Sequence, residues 1–420
     1  MRVSISKSKI KGKASAPSSK SYTIRGLMCA ALADGESEII HPLSSDDTTV
    51  AVSVLTKVGV SINQQDDSWG VRGVNFHEPD TDLFCGESAA TLRFMTAIGA
   101  LVPGKCQLVS GPSLSRRPIE PLIQALRQLG VNCSSRGVAS SVLVEGGLKG
   151  GVAELPGDIS SQFVSALLLV SPFAKKGVTI RLTTPLESKS YVLMTLECLE
   201  KFGIKVKSSK DLSEFEVSNQ AYKPTEYTVE GDWSSASYLL ALGALSGEVK
   251  VETLQLQSLQ GDKVILKLLR EMGASVRIDE NSVTVKRQKL HAIKADLSEC
   301  IDLLPTMAVL AAVADGVSEF TGIERARLKE SNRVSALREG LTSMGIKVFE
   351  EANKLTIIGS LPKGAVIDTR ADHRIAMAFS MLGPVVGGVI IDDAGCVSKT
   401  YPEFWDVLES MGGEVKIDGK

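Results

Sequence analysis

Leu199-Glu-Lys-Phe-Gly-Ile-Lys-Val206 has the pattern of a leucine-containing helix end, a glycine and the start of an apolar strand. A glycine just past the last helical turn can take the left-handed conformation that ends a helix, which explains the residue type. Six repeats of this pattern in register are far more informative than one. The six stretches are 55–62, 126–133, 199–206, 269–276, 341–348 and 408–415, with glycines at Gly59, Gly130, Gly203, Gly273, Gly345 and Gly412.

Each repeat also contains a second passage from helix through glycine to strand. The helices ahead of these second glycines are rich in Ala, Leu and Met at helical spacing. The sequence therefore predicts six α/β units. The second glycines are Gly35, Gly104, Gly177, Gly247, Gly316 and Gly388.

Six units predict two similar domains of three units each, with the chain crossing between them near residues 17–19 and 230–233. Two crossings make the second domain an insertion. We therefore expect a discontinuous domain from residues 1–18 and 231–420 and an inserted domain from residues 19–230. This layout leaves an interdomain cleft, a common place for ligands, and we expect the active site there.

Composition excludes several classes of protein. The chain has 420 residues, a net charge of −2 and 5% aromatic residues, which argues against a nucleic-acid binder. Its seven cysteines are scattered and its four histidines lie far apart, so we expect reduced thiols and no metal site. The polar, lysine-rich start has no apolar signal region, and the longest apolar run is too broken to span a bilayer. We expect a cytoplasmic protein that does not bind a membrane.

Arg325-Ala-Arg-Leu-Lys-Glu-Ser-Asn-Arg333 places a single carboxylate, Glu330, among four cations and ahead of an apolar helical pattern. Cations are mildly unfavourable at a helix start, which carries unpaired N–H groups and partial positive charge. They are explained if an anion binds at this turn and Glu330 transfers a proton beside it. The alternative is a solvated, salt-bridged helix start without a function.

Other predicted helix starts combine serines with cations. Each of them alone is more often a cap with a surface charge than a site. Together, hydroxyl and backbone donors with lysine or arginine make phosphate and carboxylate sites. These starts favour an enzyme or binder for small multi-anionic ligands, with Asp302 and Glu330 as acid/base candidates. The cations near predicted helix starts are Lys20, Arg25, Arg93, Lys189 and Arg374.

The sequence resembles the enolpyruvyl transferase family, in particular its 5-enolpyruvylshikimate-3-phosphate synthases. The resemblance runs in order from about residue 10 to residue 410. It implies two similar α/β domains, each with three βαβαββ-type repeats around a pseudo-three-fold axis, as an inside-out α/β barrel. The motifs are Lys20-Ser21 with Arg25, the stretch 86–93, Arg117-Pro118, Ser160-Ser161-Gln162, the stretch 328–333, Asp372-His373-Arg374 and Lys399-Thr400-Tyr401-Pro402.

The resemblance also implies the ligands of two substrates, shikimate 3-phosphate and phosphoenolpyruvate. For shikimate 3-phosphate they are Lys20, Ser21, Arg25, Ser160, Ser161, Gln162, Ser188, Tyr191, Asp302, Arg325 and Lys329, although the family often has a neutral residue at the position of Arg325. For phosphoenolpyruvate they are Lys20, Ala89, Arg117, Gln162, Arg333, Arg374 and Lys399.

The implied reaction transfers the enolpyruvyl group of phosphoenolpyruvate to the 5-hydroxyl of shikimate 3-phosphate and releases phosphate, in the shikimate pathway of aromatic amino-acid biosynthesis. Asp302 would take the hydroxyl proton, and Glu330, with Lys20, would transfer the proton of the methylene carbon. The division of these roles among the three residues stays open. The resemblance implies that the reaction needs neither a metal nor an organic cofactor. We expect a monomer.

Two alternatives remain at this point. The enolpyruvyl transferase that acts on UDP-N-acetylglucosamine shares the fold but normally has a reactive cysteine in the loop before the Arg-Pro pair, and the stretch 111–117 has none. The second alternative is a non-catalytic polyanion binder, against which the low aromatic content and negative net charge count.

Ala89 departs from the family, which usually has glycine at this position beside the phosphoenolpyruvate site. The inhibitor glyphosate, which is longer than phosphoenolpyruvate, packs its phosphonate against that glycine. An added methyl group takes up this space, so we expect intrinsic tolerance of glyphosate. The alternative is that alanine only forms a better helix and the backbone has shifted to fit it.

Overall fold

The structure is a computed structural model that describes residues 1–136 and 141–418. Contacts between Cα atoms divide the chain into two compact units. We call Met1–Pro17 with Glu230–Lys420 the discontinuous unit, and Ser18–Val229 the continuous unit. Each unit has its own hydrophobic core.

The described strands and helices alternate along the chain. The strands are β1 (Arg2–Ser6), β2 (Ile10–Ser15), β3 (Glu36–Ile40), β4 (Ser61–Gln64), β5 (Ser68–Arg72), β6 (Leu83–Phe84), β7 (Cys106–Val109), β8 (Cys133–Arg136), β9 (Ser141–Val144), β10 (Gly151–Leu155), β11 (Val178–Leu182), β12 (Lys207–Ser208), β13 (Glu214–Val217), β14 (Glu226–Thr228), β15 (Gly247–Glu252), β16 (Ser275–Ile278), β17 (Ser282–Lys286), β18 (Lys294–Asp296), β19 (Val317–Thr321), β20 (Lys347–Glu351), β21 (Lys354–Ile358), β22 (Val366–Asp368), β23 (Val389–Asp392) and β24 (Glu414–Asp418). The α-helices are α1 (Lys20–Ala31), α2 (Asp46–Lys57), α3 (Ala89–Ile98), α4 (Glu120–Gln128), α5 (Ser161–Val170), α6 (Lys189–Lys201), α7 (Trp233–Ser246), α8 (Ile265–Glu271), α9 (Leu304–Val313), α10 (Arg333–Ser343), α11 (His373–Ser380), α12 (Gly383–Val386) and α13 (Phe404–Ser410).

Within the described ranges the strands form six four-stranded sheets, three in each unit. Every sheet has a parallel pair at one edge, followed by two antiparallel pairs. The strand orders are β22-β23-β1-β24, β16-β17-β15-β2 and β18-β19-β21-β20 in the discontinuous unit, and β14-β3-β5-β4, β6-β7-β9-β8 and β10-β11-β13-β12 in the continuous unit. The predicted class, an α/β fold of repeated units, is confirmed.

The two ends of the chain are built into one sheet of the discontinuous unit. Strand β1 pairs antiparallel with β23 and with β24, so that Val3 is opposite both Ile391 and Ile417. Val3 and Ile5 point into the core and are buried. Because successive residues of a strand face opposite sides, a slip of one residue would expose both side chains, which fixes this register.

The six glycines that define the repeat all take the predicted left-handed conformation, with φ between 82° and 105°. Five of the six second glycines also have φ between 66° and 128°, but Gly247 has an extended backbone with φ 177°. At Gly247 a Cβ atom would lie 1.7 Å from the carbonyl oxygen of Ile10 on the neighbouring strand β2. Glycine is therefore required there by close backbone approach and not by a left-handed turn.

Buried helices form the centre of each core. All residues of α7 and all but the last of α9 are buried, and α5 is buried apart from Gln162. A helix that is apolar on all sides requires neighbours on all sides, and α7 contacts α9 while α5 contacts α3. Many of the predicted site residues lie at or just before the starts of these buried helices and of α1 and α11. The fold thus places polar side chains where backbone N–H groups are unpaired.

Candidate active site

The main feature of the discontinuous unit is a buried arginine that contacts three carboxylates. Arg333 is 1% exposed. Its Nη1 donates to Asp302 Oδ1 at 2.7 Å, its Nη2 to Glu330 Oε2 at 2.5 Å and its Nε to Asp372 Oδ2 at 2.9 Å. A planar guanidinium with five donors can serve several carboxylates at once, which a lysine ammonium cannot do in this geometry. We call Asp302, Glu330, Arg333 and Asp372 the acid cluster.

Two further cations, Lys329 and Arg374, lie near the carboxylate of Asp302. Lys329 Nζ lies 3.4 Å from Asp302 Oδ1, and Arg374 Nη2 lies 3.5 Å from Asp302 Oδ2. Burial alone would raise the pKa of Asp302, but Arg374, Lys329 and Arg333 outweigh it and hold the pKa well below its usual value. Burial lowers the pKa of Lys329, against the opposing effect of Asp302. Asp302 is therefore a carboxylate at neutral pH.

The stretch 325–333 differs from its predicted form as a helix start. A short 3-10 helix spans Glu324–Leu328, and α10 begins only at Arg333, where Asn332 Oδ1 accepts from the N–H of Ser335 at 3.2 Å. Glu330 therefore lies in the connection ahead of the helix. It also has two carboxylate neighbours around Arg333, which the local sequence could not show. The alternative of a solvated helix start is wrong for Arg333, because its side chain is buried.

A second buried carboxyl, Asp262, lies close to the acid cluster and is missing from the sequence-based candidates. It sits in a 3-10 helix (Gly261–Val264) and accepts a hydrogen bond from Ser234 Oγ near the start of α7. Burial, and secondly the charge of Asp302, raise the pKa of Asp262 to about 7, while Arg374 opposes the shift. The two aspartates thus have pKa values shifted in opposite directions, a pattern typical of acid/base sites.

Asp262 leads to a prediction about stability and pH. A carboxyl whose folded-state pKa is raised contributes stability at low pH that is lost as pH rises from about 4 to about 7. Asp262→Asn cannot ionise, so its stability relative to the unchanged protein should increase by about 2–3 kcal/mol between pH 5 and pH 8. Urea unfolding at both pH values measures this difference. Ser234→Ala keeps the carboxyl and should keep the pH dependence, whereas parallel curves for the unchanged protein and Asp262→Asn would contradict the assignment.

In the continuous unit, the buried Arg25 connects helices α1 and α6. Its Nε donates to Thr195 Oγ1 at 2.8 Å and its Nη2 to the carbonyl oxygen of Tyr191 at 3.1 Å, while its Nη1 bonds the carbonyl oxygen of Ser21 at 3.0 Å. Thr195 in turn donates to Ser165 Oγ on α5 at 2.8 Å. Burial lowers the pKa of Arg25. The guanidinium is held in place by three helices, which fixes a cation beside Ser21 and Tyr191.

Arg93 on α3 joins the predicted residues Ser160 and Gln162. Its Nη1 donates to Gln162 Oε1 at 2.7 Å and to Ser160 Oγ at 3.1 Å, and its Nη2 donates to the carbonyl oxygen of Pro118 at 3.0 Å. Its guanidinium carbon lies 4.9 Å from the ring centroid of Phe163. The sequence marked Arg93 only as a cation near a helix start. The structure makes it the residue that connects α3, α5 and the segment after Arg117.

Lys20, at the first position of α1, pairs with Asp47 of α2, and Nζ lies 2.8 Å from Oδ2. Asp47 is almost fully buried and was not predicted. The only signal for it was its place in the first turn of a helix that Ser45 caps. Acidic residues are common there because they interact favourably with the helix dipole. This carboxylate fixes the position of the Lys20 ammonium group.

The remaining candidates are placed as follows. Ala89 is the first residue of α3, Ser161 is the first residue of α5, and Ser188 precedes α6 in a left-handed conformation with φ 53°. Arg117 follows a loop that Glu87 holds, since Glu87 accepts from the N–H groups of Ser113 and Leu114 at 3.1 and 2.8 Å. Arg325 Nη2 donates to the carbonyl oxygen of Ser298 at 2.6 Å, and Lys399 is buried at the end of a 3-10 helix (Ala394–Lys399).

The structure thus brings the candidates together in two sets. Asp302, Lys329, Glu330, Arg333 and Arg374 form one connected group in the discontinuous unit. In the continuous unit, one group links Arg25 with Ser21 and Tyr191, and a second links Ser160 with Gln162 through Arg93. The positions of the other candidates, which are Ala89, Arg117, Ser161, Ser188, Arg325 and Lys399, follow from the elements described above.

Within residues 1–136 and 141–418, no group of three or more His, Cys, Asp or Glu side chains is arranged to hold a metal ion. In the same ranges none of the helices is both long and apolar enough to cross a membrane. All seven cysteines are present as free thiols.

Comparison with known proteins agrees with this fold. The family model of EPSP synthase (3-phosphoshikimate 1-carboxyvinyltransferase) matches residues 5–408. A 3-phosphoshikimate 1-carboxyvinyltransferase of Dehalococcoides mccartyi is 50% identical over 421 residues, covering 100% of both chains. The solved structure of EPSP synthase from Acinetobacter baumannii has a TM-score of 0.83 and 26% identity, covering 99% of this chain and 100% of that one. The enolpyruvyl transferase NikO from Streptomyces tendae has a TM-score of 0.81 at 16% identity, covering 99% of this chain and 98% of that one, which shows a shared fold.

Six α/β repeats with buried charged groups at their helix starts define a protein of the enolpyruvyl transferase fold. The family can be stated more closely. The chain belongs to the EPSP synthase family, because the family model covers nearly all of it and a relative matches it over its full length.

Proposed function

We propose that this protein transfers the enolpyruvyl (carboxyvinyl) group of phosphoenolpyruvate to the 5-hydroxyl of shikimate 3-phosphate and releases phosphate, as the enzyme of this step in the shikimate pathway. The observation that carries the proposal is the acid cluster around Arg333, in a chain that is 50% identical to a 3-phosphoshikimate 1-carboxyvinyltransferase over its full length. The residues proposed as ligands are divided between the discontinuous and the continuous unit.

The proposed chemistry starts with proton transfer at two places. The 5-hydroxyl attacks the carbon that bears the phosphate, while the neighbouring methylene carbon gains a proton. Asp302 takes the hydroxyl proton, and Glu330, with Lys20, delivers and later removes the carbon proton. Phosphate then leaves the tetrahedral intermediate, and cations such as Arg374 and Lys399 stabilise its charge.

The low pKa of Asp302 limits its strength as the proposed general base. A carboxylate held by three cations is a weak base, and efficient general bases have a pKa near the working pH. The two substrates bring about five to six negative charges, counting about −1.5 to −2 for each phosphate. Anions bound by Lys329 and Arg374 would offset the cations and raise the pKa of Asp302. On this proposal the base becomes effective only when substrate is bound.

The test of the function is phosphate release by the purified protein. We expect release with phosphoenolpyruvate and shikimate 3-phosphate together, and none when UDP-N-acetylglucosamine replaces the second substrate. The absence of cysteine from the stretch 111–117 supports this choice of acceptor. Release with phosphoenolpyruvate and UDP-N-acetylglucosamine, but not with phosphoenolpyruvate and shikimate 3-phosphate, would instead identify the UDP-sugar as the acceptor. Saturable binding of both substrates without any phosphate release would instead favour a polyanion binder.

We further propose a monomer in the cytoplasm. The free state of all seven cysteines supports a reducing compartment. Light scattering after size-exclusion chromatography tests the first part, since a monomer should give a mass near 44.7 kDa.

Ala89 gives a prediction about inhibition. It begins α3 and is almost fully buried, so its methyl group has little room to move away from a bound inhibitor. Ala89→Gly should bind glyphosate at least about tenfold more tightly, because one excess methyl group in a tight site costs about 1–3 kcal/mol. The Michaelis constant for phosphoenolpyruvate should change little. Inhibition curves of both forms measure the effect, and equal sensitivity would show that the backbone accommodates the methyl group.

A further inference from the structure

A cavity of about 660 Å3 lies in the discontinuous unit, among residues that none of the proposed substrate contacts uses. Its walls come from four separate parts of the chain: residues 7–11, 246–248, 286–287 and 384–385. Apart from the buried Ile10 and Pro384 and the half-buried Val385, the lining residues are glycine, serine and charged residues.

The charge of this cavity is strongly positive. Five cations line it against a single carboxylate, Glu248. Glu248 lies between two of them on adjacent strands, because Lys11 of β2 and Lys286 of β17 are both in register with it. Its Oε2 is 3.6 Å from Lys286 Nζ. The five cations are Lys7, Lys9, Lys11, Lys286 and Arg287.

Four of these five cations have no ion pair with any residue that the structure describes; they are Lys7, Lys9, Lys11 and Arg287. The simplest explanation is that they offset the negative ends of helices, since α7 ends at Ser246 and α12 at Val386. A helix C-terminus carries only about half a negative charge, and the effect falls off within the last turn. Two helix ends and Glu248 together thus cancel about two of five positive charges, and a net charge of about +3 remains. Such a concentration of positive charge in a chain of net charge −2 favours an anionic occupant.

We propose that this cavity binds a small ligand that carries two or more phosphate or carboxylate groups. Lysine ammonium groups on flexible stems can converge on such a ligand, and Arg287 can bind one of its groups in a bidentate manner. The site is distinct from the proposed substrate residues. Its occupant is an effector or a second small anion, held between the start of β2 and the ends of α7 and β17.

The test uses inorganic pyrophosphate and citrate as probes, because they separate phosphate from carboxylate recognition. Isothermal titration measures the affinity of each probe for the unchanged protein and for the double variant Lys9→Ala/Lys11→Ala. We expect saturable binding of at least one probe, weakened about tenfold or more in the variant and weakened by added salt. Hydrogen exchange should show protection at residues 7–12 and 246–252 when the probe is bound.

The matched control is Lys13→Ala/Lys347→Ala, which removes the same charge from exposed positions outside the cavity. It should change probe affinity less than about twofold, since only non-specific attraction is lost. Both double variants should keep the turnover of the unchanged protein. Equal weakening by both variants, no saturable binding of either probe, or protection confined to the segments that hold the acid cluster would each overturn the proposal.

Discussion

Glu330→Gln is expected to lower turnover by about a hundredfold or more while leaving the affinity for both substrates within about tenfold. Glutamine keeps the size of the side chain, and its amide oxygen can still accept the hydrogen bond that Arg333 Nη2 donates to Glu330 at 2.5 Å. It cannot gain or lose a proton at neutral pH. The change therefore removes the proton transfer and leaves most of the packing.

The measurement combines steady-state rates of phosphate release with direct titration of each substrate. Glu324→Gln is the matched control, because Glu324 lies in the same segment at the start of the preceding 3-10 helix and contacts none of the acid cluster. Its turnover should stay within about twofold, as expected for a surface change away from the site. If Glu330→Gln turns over at the original rate, the proton role belongs to Asp302 or Lys20.

Arg333→Met is expected to destabilise the folded protein by about 3–5 kcal/mol, the usual cost of removing one partner from a buried ion pair. Arg333 is 1% exposed and Asp372 is 0% exposed, so the change removes the buried cation that Asp302, Glu330 and Asp372 share, while Asp302 keeps its longer contacts with Lys329 and Arg374. Arg333→Lys should restore only part of the loss, because an ammonium group cannot reach three carboxylates in the directions of Nε, Nη1 and Nη2.

Urea unfolding of the single and double variants measures this loss. Combining Arg333→Met with Asp372→Asn removes one of the buried charges, so the double variant should be more stable than the sum of the single changes predicts. That coupling separates the loss of a charge partner from a simple packing defect. Strict additivity, or an unfolding midpoint of Arg333→Met equal to that of the unchanged protein, would show that the arginine does not neutralise the cluster.

Much of the fold was predictable because short stretches of sequence determine its repeat. A helix ends at a glycine wherever the chain needs a left-handed residue, and this requirement acts within a few residues. All six repeat glycines have the predicted conformation for that reason. Gly247 is different, since it is required by the approach of Ile10 from a distant part of the chain, which no local pattern contains.

The sequence predicted which residues belong to the candidate site better than it predicted which of them bond one another. The polar helix starts pointed to Asp302 and Glu330, the resemblance to the family added a binding role for Arg333, and the structure joins these three residues in one cluster. Their roles in the reaction remain predictions. Asp262 gave no signal, because one aspartate in a polar segment looks like any surface acid until its burial is known.

The sequence by itself determined the number of repeats, the class of fold and the family, since these depend on short-range spacing and on motifs that keep their order along the chain. Only the tertiary structure decided which charges meet. Asp302 and Asp372 lie 31 and 39 residues from Arg333 in sequence, yet both bond it. The cations of the proposed anion cavity likewise come from two distant parts of the chain, residues 7–11 and 286–287. Electrostatic energy depends on distance in space and on burial, and neither quantity exists until the chain has folded.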